Sequence, residues 1–259
     1  MSMIQKRPRI IPVLSIANQN LVKTIKFRHP TYLGDPINAI KIFNEKGVDE
    51  LCILDIEASK RGRVPDFSLL KDMASEAFMP LSYGGGITNI EEIGKLFRIG
   101  FEKVIINTAF FENAILVSDA VKLFGSQSIV ISIDAKKNLF GGYNIFICDG
   151  TKKISLSLID ALHKVKYLGA GEIIINSIDN DGMMVGYDDS LIRLVTGTVS
   201  IPVTCCGGAS CLRDLKKAIY EDGAHAASAG SMFVYYGRKK AVLINFPTEC
   251  DLIKEGIYQ

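Results

Sequence analysis

The chain has 259 residues, is 48% hydrophobic and carries a formal net charge of +2. That length is ordinary for one α/β barrel, and the apolar share supports a large core. The near-neutral charge argues against a nucleic-acid surface or an electrostatic membrane anchor. With no apolar run of about eighteen residues and no apolar signal-peptide region at the N-terminus, a soluble cytoplasmic protein is expected.

Six cysteines, at 52, 148, 205, 206, 211 and 250, make no Cys-x-x-Cys pair, and there are three histidines. Reduced core thiols are expected, with no metal and no cofactor.

Short β-rich runs fall at 9–15, 50–55, 80–83, 103–106, 128–134, 172–176, 202–205 and 225–228. Helical periodicity lies between them, at Pro36–Lys46, Ile90–Ile99, Ala114–Phe124, Leu158–Leu168 and 212–221. Gly47, Gly100, Gly125, Gly169 and Gly223 read as helix C-caps. Runs such as Lys103-Val104-Ile105-Ile106 suit parallel strands buried on both faces. The alternation predicts a (β/α)8 TIM barrel. Two segments interrupt it. Residues 16–35 read as a long loop rich in Lys, Arg and Asn. Residues 136–155 contain Phe140-Gly141-Gly142-Tyr143, which reads as a hairpin turn between two short strands. Both follow C-terminal strand ends, where barrel active sites are built and long loops act as lids or binding loops.

The barrel is written twice. Met79-Pro80-Leu81-Ser82-Tyr83-Gly84-Gly85-Gly86-Ile87 recurs as Ile201-Pro202-Val203-Thr204-Cys205-Cys206-Gly207-Gly208-Ala209, an offset of 122, and Asp49-Glu50-Leu51-Cys52-Ile53-Leu54 recurs as Gly171-Glu172-Ile173-Ile174-Ile175-Asn176. Half-barrels of approximately 1–125 and 126–259 follow. At an offset of 119, Ile10-Ile11-Pro12-Val13-Leu14-Ser15 aligns with Ile129-Val130-Ile131-Ser132-Ile133-Asp134. One first strand therefore ends in a hydroxyl and the other in a carboxylate.

Gly84-Gly85-Gly86 ends the third strand and Asn107-Thr108 the fourth; Cys206-Gly207-Gly208 and Ala229-Gly230-Ser231 are their second-half equivalents, with Asp181-Gly182 beside them. Glycines let an anion approach backbone N–H groups, and a following helix N-terminus favours negative charge. Two such cradles on opposite sides of one mouth point to a ligand with a phosphate at each end, or a phosphate and another anion. The alternative is that the glycines only make tight turns, which leaves the adjoining Asn, Thr and Ser without a reason.

The chain resembles the HisF family, the cyclase subunit of imidazole glycerol phosphate synthase, over almost its whole length. The resemblance is carried by Arg9-Ile10-Ile11-Pro12, Asp49-Glu50-Leu51 running to Leu54-Asp55-Ile56, Tyr83-Gly84-Gly85-Gly86-Ile87, Phe124-Gly125-Ser126-Gln127, Ile133-Asp134-Ala135-Lys136, Gly169-Ala170-Gly171-Glu172 and Asp179-Asn180-Asp181-Gly182. It implies a lyase-type barrel that takes ammonia from a glutaminase docked at its N-terminal face, as a heterodimer, and spends it on a bisphosphorylated ribonucleotide in histidine biosynthesis. It further implies that Asp134 is one of two acid–base aspartates, that Lys23 sits on a mobile first loop, and that Asp55 is an acidic residue ending strand two. Phosphate contacts fall to Gly86, Asn107 and Thr108, and to Asp181, Gly182, Gly208, Gly230 and Ser231. A charged ring gating ammonia at the barrel bottom falls to Arg9, Glu50, Lys103 and Glu172.

Ser15 departs from the family, which has an aspartate there. A hydroxyl cannot trade a proton as a carboxyl group does, and losing one of two acid–base groups costs on the order of 10²-fold to 10⁴-fold in rate. A HisF-like branch associated with glycosyl amidation (the WbuZ type) is more similar, through Leu21-Val22-Lys23-Thr24-Ile25-Lys26-Phe27, Tyr32-Leu33-Gly34-Asp35-Pro36-Ile37-Asn38-Ala39 and Ile42-Phe43-Asn44-Glu45-Lys46. That resemblance implies ammonia passed to a separate sugar amidotransferase that makes an acetamidino sugar of a surface polysaccharide such as lipopolysaccharide. An authentic cyclase, a sugar-phosphate isomerase and a non-catalytic scaffold remain as alternatives.

Overall fold

The computed structural model describes residues 7–237 and 239–259. Its central element is a closed ring of eight parallel strands: β1 (Arg9–Ala17), β2 (Leu51–Asp55), β3 (Leu81–Gly84), β4 (Lys103–Ile106), β5 (Ile129–Lys137), β6 (Glu172–Ser177), β7 (Val203–Cys206) and β8 (Ala226–Ala229). Each pairs with its successor, and β8 pairs with β1 through Arg9↔Ala226 to Pro12↔Ala229, so the ring itself has no free edge. The outer layer is α1 (Pro36–Lys46), α2 (Phe67–Ser75), α3 (Ile90–Ile99), α4 (Ala114–Phe124), α5 (Leu158–Leu168), α6 (Asp189–Thr198), α7 (Leu212–Tyr220) and α8 (Glu249–Glu255). This is the (β/α)8 barrel expected from the alternation.

Local chemistry sets the helix ends. Asp35 accepts hydrogen bonds from the Ile37 and Asn38 amides with Pro36 in the first turn, and Asn89 and Glu92 form a reciprocal capping box on α3. Gly47, Gly100, Gly125 and Gly169 occupy C-cap positions. Gly223 does not: α7 is capped by Glu221, whose N–H reaches Lys217 O, and Gly223 lies two residues further on.

Side-chain alternation splits the apolar residues into two sets. Ile10, Leu14, Leu51, Ile53, Val104, Ile131 and Ile173 point outward and pack against Ile40, Phe43, Leu70, Leu96, Val117, Leu162 and Val195 of the helices. Burying each such side chain is worth about 1.5–3 kcal/mol, so this layer carries most of the stability. Ile11, Val13, Cys52, Ile105, Val130, Cys206 and Ala226 point inward and form a second, smaller cluster with Leu54 and Ile174.

The segment 16–35 is not a loop. β1 continues to Ala17, and Asn20–Ile25 and Arg28–Gly34 form an antiparallel hairpin on it. Both turns hold two residues with positive φ, Asn18 and Gln19, then Lys26 and Phe27, the backbone that suits tight hairpins. The β-branched content of Leu21-Val22-Lys23-Thr24-Ile25 outweighs the charged residues around it. Pro30 is tolerated because Arg28–Gly34 is an exposed outer strand. In 136–155, β5 itself runs to Lys137 and turns back as Tyr143–Ile147, followed by Lys152–Ile154. One arm of that expected hairpin is thus the barrel strand.

The repeat is also structural. Ser15 lies beside Leu54 of β2 and Val22 of its hairpin, whereas Asp134 lies beside Asn176 of β6 and Phe146 of its hairpin. The two residues occupy equivalent places in the two halves. Among the described residues no helix is long and apolar enough to cross a membrane, and no cluster of His, Cys, Asp and Glu could hold a metal ion. All six cysteines are free.

Candidate active site

The floor of the barrel is a closed ring of charge. Arg9 begins β1, Glu50 precedes β2, Lys103 begins β4 and Glu172 begins β6, so strand closure brings four residues distant in sequence to one level. Arg9 reaches Glu50 Oε2 at 2.5 Å and Glu172 Oε1 at 2.7 Å; Lys103 Nζ reaches the same two carboxylates at 2.8 and 2.9 Å. Each acid therefore touches both bases and the charges cancel. Thr204 Oγ1 donates to Glu172 Oε1 at 2.5 Å. Burial pushes the Glu172 carboxyl up, but Arg9 and Lys103 outweigh it and hold the group below its ordinary value. Buried charges are tolerable only when paired this fully.

At the opposite end, Asp134 stands buried at the mouth. Asn107 Nδ2 donates to Asp134 Oδ2 at 3.0 Å and to Ser132 O at 3.1 Å, so the Asn107 amide orients the carboxylate. No cation lies within ion-pair distance of Asp134 among the described residues. Burial, with the charges of Asp149 and Asp181, pushes the Asp134 carboxyl up to about 7, against the opposing Asn107 hydrogen bond. Ser15 is buried and lines the same cleft. Asp55 Oδ1 accepts from the Glu57 and Ala58 amides at 3.0 Å each, which ties it to the turn after β2; burial raises its carboxyl.

The glycine-rich turns follow their strands as expected. A Cβ on Gly86 (φ 68°) would lie 2.3 Å from Arg63 O, and one on Gly208 (φ 118°) would lie 2.1 Å from Gly186 O, so only glycine fits either place. Thr108 begins the helical turn Thr108–Glu112, and Ser231 begins Ser231–Val234. Ser231 Oγ is buried without a hydrogen-bond partner among the described residues. Asp181 accepts from Lys23 Nζ and Thr24 Oγ1, both at 3.0 Å, and Asp181 O accepts from the Lys26 amide at 2.9 Å. Asp181 and Gly182 thus sit beneath the hairpin Asn20–Ile25 and anchor it.

One cleft runs down the barrel. It is lined at the bottom by Glu50 and Glu172, midway by residues such as Ile11, Cys52 and Val130, and at the mouth by Ser15, Lys23, Asp55, Gly86, Asn107, Thr108, Asp134, Asp181, Gly182, Gly208, Gly230 and Ser231. Arg9 and Lys103 close the floor without lining it. Among the cleft residues to which sequence reasoning gave no role are Thr204, Asn176 and Asp149. Thr204 completes the floor. Asn176 has a buried Oδ1 with no partner among the described residues. Asp149 enters from the turn after Tyr143–Ile147, 3.5 Å from Lys60 Nζ, and burial pushes it up to about 6. Asn176 was legible as the repeat partner of Leu54; nothing marked Asp149, because a turn residue in an insertion has no periodicity.

A parallel barrel with ionisable groups confined to its floor and its C-terminal mouth defines a (β/α)8-barrel protein of the kind that builds active sites at that mouth. The family described as histidine biosynthesis protein matches residues 9–240, and the chain belongs to it, within the HisF family. A relative from Leptospira interrogans, named "Putative imidazole glycerol phosphate synthase subunit HisF", is 47% identical over 253 residues, covering 97% of this chain and 99% of the relative. One from Pseudomonas aeruginosa, named "Putative imidazole glycerol phosphate synthase subunit hisF2", is 45% identical, covering 93% and 96%. "Imidazole glycerol phosphate synthase subunit HisF" of Natranaerobius thermophilus is 38% identical, also covering 93% and 96%.

Proposed function

We propose that this chain is the ammonia-receiving synthase subunit of a glutamine amidotransferase complex, paired at its floor with a HisH-like glutaminase as a heterodimer in the cytoplasm. The observation that carries the reading is the four-charge floor opening onto a lined cleft that ends at Asp134. A surface that only needed stability gains little from buried ion pairs. Arg9, Glu50, Lys103 and Glu172 act in this reading as the gate. The turns around Gly86, Asn107, Thr108, Gly182, Gly208, Gly230 and Ser231 hold a phosphorylated small molecule, with Lys23 and Asp181 closing the hairpin over it.

Ser15 directs the nitrogen elsewhere than a ring closure. We infer that the complex supports amidation of a surface-polysaccharide sugar, handing ammonia to a separate sugar amidotransferase, as in the glycosyl amidation-associated branch. The greater identity to the relatives from Leptospira and Pseudomonas than to the Natranaerobius HisF is consistent with such a branch. The test is turnover: the purified chain with its glutaminase should convert the histidine-pathway intermediate at least about 10²-fold slower than an ordinary cyclase. An ordinary rate would sink the sugar reading.

The names of the relatives favour a second reading, an authentic cyclase of histidine biosynthesis, and so does Asp134, whose carboxyl at about 7 is poised to give or take a proton. Rescue of a histidine auxotroph by this gene would decide for it.

A further inference from the structure

We propose that Asp149 is the second acid–base carboxylate of this site, supplied by the insertion after β5 in place of the group that β1 lacks at Ser15. The inference rests on the second reading above, in which the mouth is a ligand site that itself converts the acceptor.

Asp149 and Asp134 line one cleft, and the frame between them is continuous. Asn107 holds Asp134 through Nδ2, and the next residue, Thr108, receives the Cys148 amide on its Oγ1 at 3.4 Å. Cys148 immediately precedes Asp149. The turn is held in an uncommon backbone: Cys148 and Asp149 have φ of 53° and 57°. This backbone suits a tight hairpin turn, as at Asn18-Gln19 and Lys26-Phe27, so by itself it marks no function. The Asp149 side chain is only 11% exposed, although it sits on a connecting turn.

An independent feature shows that the space beside Asp134 is built for a ligand. Asn176, in register with Asp134 on the neighbouring strand, is 93% buried, and its Oδ1 has no partner among the described residues. An orphaned acceptor at this depth is expensive unless something donates to it. Two carboxylates and an amide oxygen together call for a ligand that carries N–H or O–H groups between its anionic ends, such as a phosphorylated amino or hydroxy compound.

The charges facing the pair are few. Asp134 faces Asp149 and Asp181, whose charge Lys23 offsets; Asp149 faces Lys60, Glu57 and Asp181. With Asp149 up to about 6 and Asp134 up to about 7, the pair near neutral pH holds close to one proton, on Asp134. In a turnover Asp134 gives that proton to the ligand atom gaining negative charge, Asp149 takes one from the atom losing it, and proton exchange with solvent at the mouth resets the pair. Only protons move, and no further reagent is needed.

The experiment compares the intact glutaminase complex with its Asp149→Asn variant. Asparagine tolerates the left-handed backbone, so the turn is retained. Two readouts are used. Carbon-13 titration of the Asp134 carboxyl, which needs no substrate, should show its midpoint falling toward the ordinary carboxylate range in the variant. Single-turnover rate on whichever acceptor the wild type uses should fall on the order of 10²-fold to 10⁴-fold, with affinity for a bisphosphate probe unchanged and the acidic limb of the pH profile, which reports the base, lost. An unmoved Asp134 midpoint, or a wild-type rate in the variant, overturns the proposal. Failure of the functional reading is separate, because it would appear as wild-type protein with no turnover on either acceptor while the titration still reports on the pair.

Discussion

Lys23 and Asp181 form a buried ion pair, 3.0 Å from Nζ to Oδ1, that ties the hairpin after β1 to the loop after β6. Each side chain is 8% exposed. The pair joins the two half-barrels across the mouth, and it sets the Lys23 ammonium against Gly230, where an added Cβ would lie 3.1 Å from Nζ. The hairpin is thus fastened across the mouth by this one pair.

Lys23→Ala would leave the Asp181 carboxylate buried without its cation. Breaking one partner of a buried pair costs about 3–5 kcal/mol, and here the loss falls on docking of the hairpin. Hydrogen exchange should quicken at amides 20–34 while β2 to β8 stay protected. The double variant Lys23→Ala, Asp181→Ala should cost less than the two single changes added together.

Lys103→Met would leave Glu50 and Glu172 sharing Arg9 alone. The barrel should stay folded, since the outer hydrophobic layer is untouched, with a loss on the order of 3 kcal/mol in denaturant unfolding. If the floor is a gate, glutamate released per nitrogen delivered should rise in this variant and in Glu172→Gln. An unchanged ratio would argue against a conduit.

Asp134 sets a pH dependence. Its folded-state value of about 7 lies above the ordinary 3.8, so the unfolded chain loses this proton first. The stability it contributes is full below about pH 4, falls as pH rises toward about 7 and is gone above it. The shift corresponds to roughly 4 kcal/mol. Asp134→Asn should remove that slope, making the variant more stable than wild type at pH 8 and little different at pH 4.

Ser15→Asp would place a carboxylate at the position equivalent to Asp134. With Asp134 and Asp149 already facing the cleft, like-charge repulsion should raise the Asp134 midpoint further. Thermal unfolding should therefore drop more at pH 8 than at pH 5. Equal drops at both would mean that position 15 does not sense the pair.

Much of this was legible in the sequence because two periodicities carried it. Alternation along strands and the offset of 122 residues placed the eight strands and the glycine turns in one order around a closed ring, while the four floor charges came from the family resemblance. What was lost lay where periodicity stops. Residues 16–35 looked like a loop because their charges mask a β-branched core and because Asn18, Gln19, Lys26 and Phe27 turn without a single glycine. Asp149 was silent for a similar reason: its position depends on Cys148 meeting Thr108 forty residues away. Thr204 was named in the repeat, yet its bond to Glu172 needs β6 and β7 side by side.

Between floor and mouth the inward face is Ile11, Val13, Cys52, Ile105, Val130 and Ile174, with the hydroxyl residues Ser82, Ser132 and Ser228 beside them and, among the described residues, no charged group. If ammonia is the passenger, as proposed, such a sleeve would sort by protonation rather than by size. An ammonium ion entering it would forgo several kcal/mol of hydration with no counter-charge on the wall, and every 1.4 kcal/mol is a tenfold penalty. Neutral ammonia pays little of that. In the proposed conduit, whatever nitrogen crosses would shed its proton at the ring below, and the carboxylates above would meet it first as a base.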